Sequence, residues 1–237
     1  GMIHLMRGTP YIYQGEEIGM PNAHYPSIEQ YQDVESLNYY EILLKKGKTK
    51  EKALETLAAR SRDNSRTPMQ WNVETYGGFS EAKPWLPMSA GFRKEITVEA
   101  QQKDDDSILA FYKKLIAMRK TYPVIAKGAI RFPETQNDMV LAYTRTLGKQ
   151  KLVVLCNLSG KKQQTKISPE WSRYPVLLEN SSHSGEECPS HKDTEFPTFL
   201  ARTRRESTLE QGVCTMKPYE FLVLGTIKEI DHVSNTL

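Results

Sequence analysis

The side chains best suited to chemistry in this chain are an adjacent carboxylate pair and a short arginine-rich segment. Glu16 and Glu17 carry the groups used in acid–base chemistry. However, neighbouring residues at the end of a strand point in opposite directions, which favours a loop-stabilising role. Arg62 and Arg66 flank Asp63. Because a guanidinium fork can hold hydroxyl groups or pair with a carboxylate, this segment allows either a binding site or a structural ion pair.

Composition and spacing argue against several other functions. The five histidines and three cysteines show no metal-ligand spacing, so we expect neither a metal nor a cofactor. A formal charge of +3, with Asp104–Asp106 as the longest like-charge run, gives no basis for nucleic-acid binding. No apolar run approaches the length that crosses a bilayer. Sparse cysteines favour a reducing, cytoplasmic setting, with Cys156 and Cys214 as buried thiols.

The first sixty residues should contain one strand and two helices. Residues 9–15 are rich in β-forming residues and end at a glycine, which predicts a strand. A helical pattern follows from Ser27 to about Ala59, with Ser27 as the proposed N-cap. Gly47 should end the first helix, and Thr49 should cap the second.

The middle of the chain combines a long loop with an amphipathic helix. Residues 61–95 are dense in proline and glycine, which indicates a long loop or linker, and their aromatic side chains favour an ordered one. Apolar residues spaced near 3.6 then predict a helix from Ser107 to about Lys120.

After residue 124 the hydrophobic period changes to two, which predicts a small all-β sandwich or barrel over residues 125–226. Residues 140–145 and 151–157 should form a hairpin around a glycine turn. Further strands are expected at Arg173–Leu178 and Met216–Leu224. Residues 181–212 are irregular in pattern, and residues 227–237 should form a frayed tail.

Two stretches resemble the oligo-1,6-glucosidase group of the α-amylase superfamily, which is glycoside hydrolase family 13. One is GTPYIYQGEEIGM at residues 8–20, and the other is SRDNSRTPMQW at residues 61–71. The segments DVESLN at 33–38 and KEITVE at 94–99 resemble the group as well. The resemblance covers residues 2–160 well and the rest weakly. The group also holds trehalose-6-phosphate hydrolase, dextran glucosidase and sucrose isomerase.

The resemblance implies the C-terminal fragment of a (β/α)8 barrel followed by a β-sandwich. Residues 1–122 would form the last part of the barrel, with Tyr11–Gln14 as its eighth strand and an active-site excursion after it. Residues 123–237 would form the C-terminal sandwich domain. The start of the chain, where a helix pattern ends almost at once, predicts missing upstream sequence.

The same resemblance implies substrate-binding residues and no catalytic ones. Retaining glycosidases use two carboxylates about 5–5.5 Å apart. The family places these, and a third aspartate, after barrel strands that would precede this chain. Arg62 matches the arginine that contacts the non-reducing glucose, and Glu35 matches an acidic residue near the neighbouring subsite. Arg66 is a third candidate. Structural alternatives stand beside each of them: an ion pair for the arginines and a helix-start carboxylate for Glu35.

These expectations define a principal function and two alternatives. The parent enzyme, of which this chain would be the C-terminal part, would hydrolyse α-glucosidic bonds in short oligosaccharides or disaccharides. This chain alone would be inactive because it lacks the catalytic carboxylates. Whether the chain should itself be called an enzyme stays open. A trehalose-6-phosphate hydrolase is the close alternative. A stand-alone non-catalytic remnant or carbohydrate-binding module is the alternative of another class. Trp71, Phe79 and Trp85 could stack on sugars, although packing of the loop is the simpler role. Residues 3–20 and the exposed face of the helix at 107–121 are expected to support a homo-oligomer, and disorder of residues 1–60 is the alternative.

Overall fold

The computed structural model describes residues 1–180, 209–210 and 212–227. The chain divides into two compact units. One comprises residues 11–112, and the other comprises residues 1–10 with the described residues from 113 onward. The predicted domain boundary at residues 122 and 123 stays a prediction.

The unit of residues 11–112 is built from helices and a long ordered loop. Its helices are α1 (Val34–Lys45), α2 (Lys50–Arg60), the short α3 (Val98–Gln101), and the first residues of α4 (Ile108–Thr121). Single 3-10 turns lie at Glu16–Ile18, Ile28–Gln30, Arg62–Ser65 and Thr75–Gly78. Helices α1 and α2 pack around a cluster of buried tyrosine, leucine and alanine side chains, which includes Tyr31, Tyr40, Leu57 and Leu86.

Sequence signals placed most of these helix ends correctly. Thr49 caps α2 by accepting a hydrogen bond from the amide of Lys52 at 3.3 Å, as predicted. Gly47 follows α1 with a φ of 77°, which terminates the helix as expected. Helix α4 confirms the predicted helix at 107–120. The Ser27 cap was wrong, because Ser27 precedes only a 3-10 turn and α1 begins at Val34 with Asp33 as its cap.

The strand predicted at residues 9–15 is also absent. Residues 9–13 carry no strand, and Tyr11 and Tyr13 are 88% and 56% exposed. A strand exists only through hydrogen bonds to a neighbouring strand. The described residues supply no strand partner for this segment, so its β-forming composition alone does not produce one.

The second unit contains two antiparallel sheets in its described part, with a short helix α5 (Pro123–Lys127). The strands are β1 (Ala129–Arg131), β2 (Val140–Leu147), β3 (Gln150–Asn157), β4 (Gln163–Lys166), β5 (Val176–Glu179), β6 (Leu209–Glu210), β7 (Val213–Met216) and β8 (Phe221–Thr226). The larger sheet has the order β1-β2-β3-β8-β5, and the smaller sheet has the order β4-β7-β6. Side chains from both sheets share one apolar cluster that includes Val153, Leu155, Cys214 and Leu222.

The β2–β3 hairpin confirms the sequence prediction. Val140 pairs with Asn157 and Leu147 with Gln150, which leaves Gly148 and Lys149 as a two-residue turn. Gly148 has a φ of 57°, as the favoured hairpin turns require.

Two predicted strands had the wrong bounds. The segment at 216–224 is divided between β7 and β8 by a turn at Pro218 and Tyr219, because proline cannot donate to the ladder and Tyr219 has a φ of 54°. The strand expected from Arg173 begins only at Val176, after a 3-10 turn.

The cysteine prediction holds for the described residues. Cys156 and Cys214 are buried and form no disulfide, and burial raises the pKa of the Cys156 thiol to about 12. Cys188 and the irregular segment predicted at 181–212 lie wholly or largely outside the described residues, as does almost all of the predicted tail. In the part of the chain that the structure describes, no helix has both the length and the apolar character to span a membrane.

Candidate functional site

Asp33 forms the centre of a cluster of charged side chains at the start of α1. Its carboxylate is 4% exposed. Oδ2 caps the helix by accepting hydrogen bonds from the amide and the hydroxyl of Ser36, at 3.1 and 2.8 Å. Oδ1 accepts from Nε and Nη2 of Arg62, at 3.0 and 2.7 Å. Asp33 therefore joins the end of a helix to an arginine that is 29 residues away in the sequence.

Asp63 is a second buried carboxylate beside the first. It is fully buried, and its Oδ2 accepts from the amides of Gln32 and Asp33 at 2.8 and 2.9 Å. Its Oδ1 accepts from Nη2 of Arg66 at 2.7 Å. Because these amides immediately precede α1, Asp63 fixes the backbone on which Asp33 and the helix start depend.

The three sequence-predicted residues meet at this cluster. Nη2 of Arg62 lies 3.5 Å from the carboxylate of Glu35, and Nη2 of Arg66 lies 3.5 Å from Oδ1 of Asp33. The Arg62 and Glu35 side chains are 64% and 76% exposed, whereas Arg66 is 37% exposed. Together with Asp33 and Asp63, these groups comprise three carboxylates and two guanidinium ions.

The electrostatics of the cluster keep its charges in place. Burial is the largest single influence on Asp33 and disfavours its charge, but hydrogen bonds from Ser36 and Arg62 outweigh it and lower the pKa of Asp33. The same hydrogen bond and the charge of Asp33 raise the pKa of Arg62. Among the described residues Nη1 of Arg62 has no hydrogen-bond partner. Arg62 is thus a fixed cation with donors facing solvent.

Arg66 differs from Arg62 in its surroundings. Its guanidinium carbon lies 5.5 Å from the ring centre of Trp85, within cation–π range. Its Nε is buried without a hydrogen-bond partner among the described residues. Trp85 is 62% exposed, so the ring is held from one side by Arg66 and remains accessible. Trp71 and Phe79 are also about half exposed, at 49% and 48%.

Glu16 has the loop-stabilising role that sequence spacing favoured. Its carboxylate accepts from the amide of Tyr13 at 3.3 Å and from the hydroxyl of Tyr112 at 2.6 Å. Burial and the hydrogen bond to Glu16 raise the pKa of Tyr112. These contacts fix the turn at Glu16–Ile18.

Sequence reasoning missed the two buried aspartates that organise the cluster. Asp33 stands three residues before Ser36, a recognisable N-cap spacing that the prediction assigned to Ser27 instead. Asp63 was considered only as an ion-pair partner for the arginines, but besides pairing with Arg66 it accepts hydrogen bonds from two backbone amides. Within the described residues, no group of three or more histidine, cysteine or carboxylate side chains could hold a metal ion.

The chain belongs to the α-amylase family: residues 1–128 match the model of the α-amylase catalytic domain. The relatives it resembles place it in the oligo-1,6-glucosidase and trehalose-6-phosphate hydrolase group of glycoside hydrolase family 13. It is 43% identical over 160 residues to an oligo-1,6-glucosidase of Parageobacillus thermoglucosidasius, which covers 67% of this chain and 28% of that protein. It is 40% identical over 182 residues to a trehalose-6-phosphate hydrolase of Bacillus subtilis, covering 75% and 32% respectively.

Solved structures agree with this assignment. The crystal structure of Bacillus licheniformis trehalose-6-phosphate hydrolase matches with a TM-score of 0.77 and 37% identity. That match covers 96% of this chain and 37% of the other. Such neighbours are (β/α)8-barrel enzymes of this family. The chain spans about a third of the length of the relatives it matches.

Proposed function

We propose that this chain contributes substrate-binding groups to a retaining α-glucosidase that hydrolyses short α-glucosidic oligosaccharides. The observation that carries the proposal is Arg62, a solvent-facing guanidinium fixed by a buried carboxylate. Pre-orientation matters because immobilising a flexible side chain on binding costs free energy, and Asp33 has already immobilised this one. Exposed N–H donors then suit the hydroxyl oxygens of a glucose ring.

The carboxylates of the cluster are suited to anchoring rather than to breaking a bond. A general acid at a glycosidic bond needs a raised pKa, whereas the pKa of Asp33 is lowered. Asp63 has no exposed surface and already accepts three hydrogen bonds. Glu35 is accessible, but its carboxylate lies 3.5 Å from the guanidinium of Arg62 and does not face a second carboxylate among the described residues that could act with it on a glycosidic bond. We therefore propose that bond cleavage requires groups that this chain does not contribute.

A turnover assay tests the catalytic half of this proposal. The purified chain should release no glucose from isomaltose or from p-nitrophenyl α-glucoside above a heat-treated sample. Release that persists after repeated purification and is lost in Asp33→Asn or Glu35→Gln would overturn it.

Trehalose-6-phosphate hydrolysis is the second candidate, supported by the 40% and 37% identities to such enzymes. The two candidates differ in the charge of the ligand. Trehalose 6-phosphate should bind more tightly than isomaltose if the phosphate-specific candidate holds, and equally if it does not. A non-catalytic sugar-binding role for the chain predicts binding of both without turnover in any assembly.

We also propose that residues 123–237 form a β-sandwich domain that follows residues 1–122, the last part of a barrel, along the chain. The shared apolar cluster of the two sheets supports this. A fragment from residue 124 onward should then unfold cooperatively on heating.

Self-association through residues 3–20 and the helix at 107–121 is a further prediction, and a strictly monomeric mass by light scattering would contradict it. The cytoplasmic location stays a prediction.

A further inference from the structure

The unit that contains the two sheets carries a small groove of its own. Residues 133–136 form one wall, and residues 166–168 with Trp171 form the other. The groove encloses about 190 Å³. That is smaller than the about 300–1,000 Å³ of a site for a drug-sized molecule, so it suits one compact ring.

Four polar side chains of this groove have no partner among the described residues, whereas the hydroxyl of Thr135, which also lines it, is already hydrogen-bonded to the carbonyl oxygens of Asn137 and Val140. Glu134, Gln136, Lys166 and Ser168 line it, and none has a side-chain hydrogen bond or ion pair within the described part of the chain. Glu134 and Lys166 have opposite charges, yet they do not pair with each other. Their charges cancel, so the groove selects for neither an anion nor a cation. Carboxylate, amide, ammonium and hydroxyl groups together offer both acceptors and donors.

Trp171 supplies an apolar surface beside these polar groups. It packs against the apolar cluster of the two sheets and is only partly buried. An indole ring that is held on one side and accessible on another can cover the C–H face of a sugar ring, while its N–H remains a donor.

Hydrogen bonds connect the two walls of the groove. The hydroxyl of Thr165 donates to the carbonyl of Thr135 at 2.6 Å, which ties β4 to the opposite wall. The side-chain amide of Asn137 donates to Gln163 and to the carbonyl of Gln164, at 3.0 and 2.8 Å. Gln136 has a φ of 55°, a conformation that side chains with a Cβ avoid. Such conformations persist where the surrounding structure enforces them, and they concentrate at binding sites.

From these features we propose that this groove binds a single neutral pyranose unit of an α-glucoside. Trp171 would cover the apolar face of the ring, and Glu134, Gln136, Lys166 and Ser168 would bind its hydroxyl groups. The choice of an α-glucoside rests on the proposed function, but the groove shares no residue with the Arg62 cluster.

Nuclear magnetic resonance of the full chain tests the groove directly. Titration with isomaltose should shift the amide signals of residues 134–136 and 166–168 and the indole signal of Trp171. The variant Gln136→Gly removes the side-chain amide and tolerates the positive φ, so it should fold normally and bind at least about fivefold more weakly. Lys149→Ala, an exposed lysine in the β2–β3 turn, is the matched control and should bind as the wild type does.

Further outcomes separate the groove proposal from the proposed function and could overturn either. In the variant Arg62→Ala, isomaltose should still shift the groove signals. If isomaltose shifts the groove signals of the wild type but not the signal of Arg62, the proposed function fails and the groove proposal stands. Unmoved groove signals at high isomaltose concentration would overturn the groove proposal, and so would undiminished binding in a Glu134→Ala/Gln136→Gly double variant. Tighter binding of glucose 6-phosphate than of isomaltose would contradict the neutral ligand.

Discussion

Arg62 and Arg145 lie in different units of the molecule and use their guanidinium groups in opposite ways. Arg62 is largely exposed and is held by the carboxylate of Asp33. Arg145, on β2, is fully buried and donates to the backbone carbonyl oxygens of Leu5 and Gly128, at 2.8 and 2.7 Å. Burial lowers the pKa of Arg145, and among the described residues no carboxylate pairs with it.

The difference shows that the partners of an arginine decide its role. Arg145 donates from two nitrogens to carbonyl oxygens. Nearby, Tyr143 and Arg119 donate to other carbonyl oxygens of residues 2–8. These contacts fasten the first residues of the chain to its sheet unit. Arg62 directs Nε and Nη2 to a single carboxylate oxygen of Asp33 and has Glu35 nearby, so its remaining N–H donors face solvent. One guanidinium maintains the fold, and the other keeps donors exposed to solvent.

Among the variants that test this comparison, we expect the largest loss in the free energy of unfolding at Asp63. Asp63→Ala leaves Arg66 without its closest carboxylate and two amides without an acceptor. Breaking a buried ion pair costs about 3–5 kcal/mol, and because Arg66 is partly exposed we expect about 3 kcal/mol. Urea unfolding measures the change, with the exposed Asp138→Ala as the control. A loss below about 1 kcal/mol would mean that Asp63 does not organise the cluster.

A somewhat smaller loss is expected at Arg145. Arg145→Met leaves the carbonyl oxygens of Leu5 and Gly128 without donors, at about 1–3 kcal/mol each, and relief of the buried charge offsets part of this. The free energy of unfolding should fall by about 2 kcal/mol. Arg131→Met, at an exposed position of β1, should change it little. Increased stability of Arg145→Met would show that the burial cost exceeds the value of these hydrogen bonds.

The smallest effect concerns pH and Asp33. Its pKa is lowered in the folded chain, so its contribution is present above the unfolded value of about 3.9 and is lost as pH falls through the folded pKa. Between about pH 5 and pH 3 the melting temperature of the wild type should therefore fall more steeply than that of Asp33→Asn. Asp138→Asn, at an exposed carboxylate, should follow the wild type. Parallel curves for all three proteins would contradict a stabilising charge on Asp33.

Local patterns predicted the elements that depend on local contacts. Helix α4 and the β2–β3 hairpin follow directly from hydrophobic spacing and a glycine turn. The strand at 9–15 failed because a strand needs a partner that composition does not provide. Helix α1 starts at Val34 and not after Ser27. The Asp33–Ser36 spacing is a local cap signal for this start, whereas the hydrogen bonds from the amides just before it to Asp63 are not local. No local signal reports a contact across 30 residues.

The same limit governed the candidate site. Arg62, Glu35 and Arg66 were identified by their resemblance to family motifs, and the structure brings them together. Asp33 and Asp63 hold them there through contacts between segments distant in sequence. Sequence therefore indicated the exposed groups, whereas the contacts by which Asp33 and Asp63 position them required the fold.

The central claim is that Arg62 is the arginine available to a sugar, and side-chain nuclear magnetic resonance tests it most directly. The Nε–H signals of Arg62 and Arg145 can be followed in one titration of the chain with isomaltose. Arg62 should shift progressively while Arg145 stays fixed, and Glu35→Gln should leave the Arg62 signal responsive. An unmoved Arg62 signal, or equal shifts of the two arginines, would contradict the account.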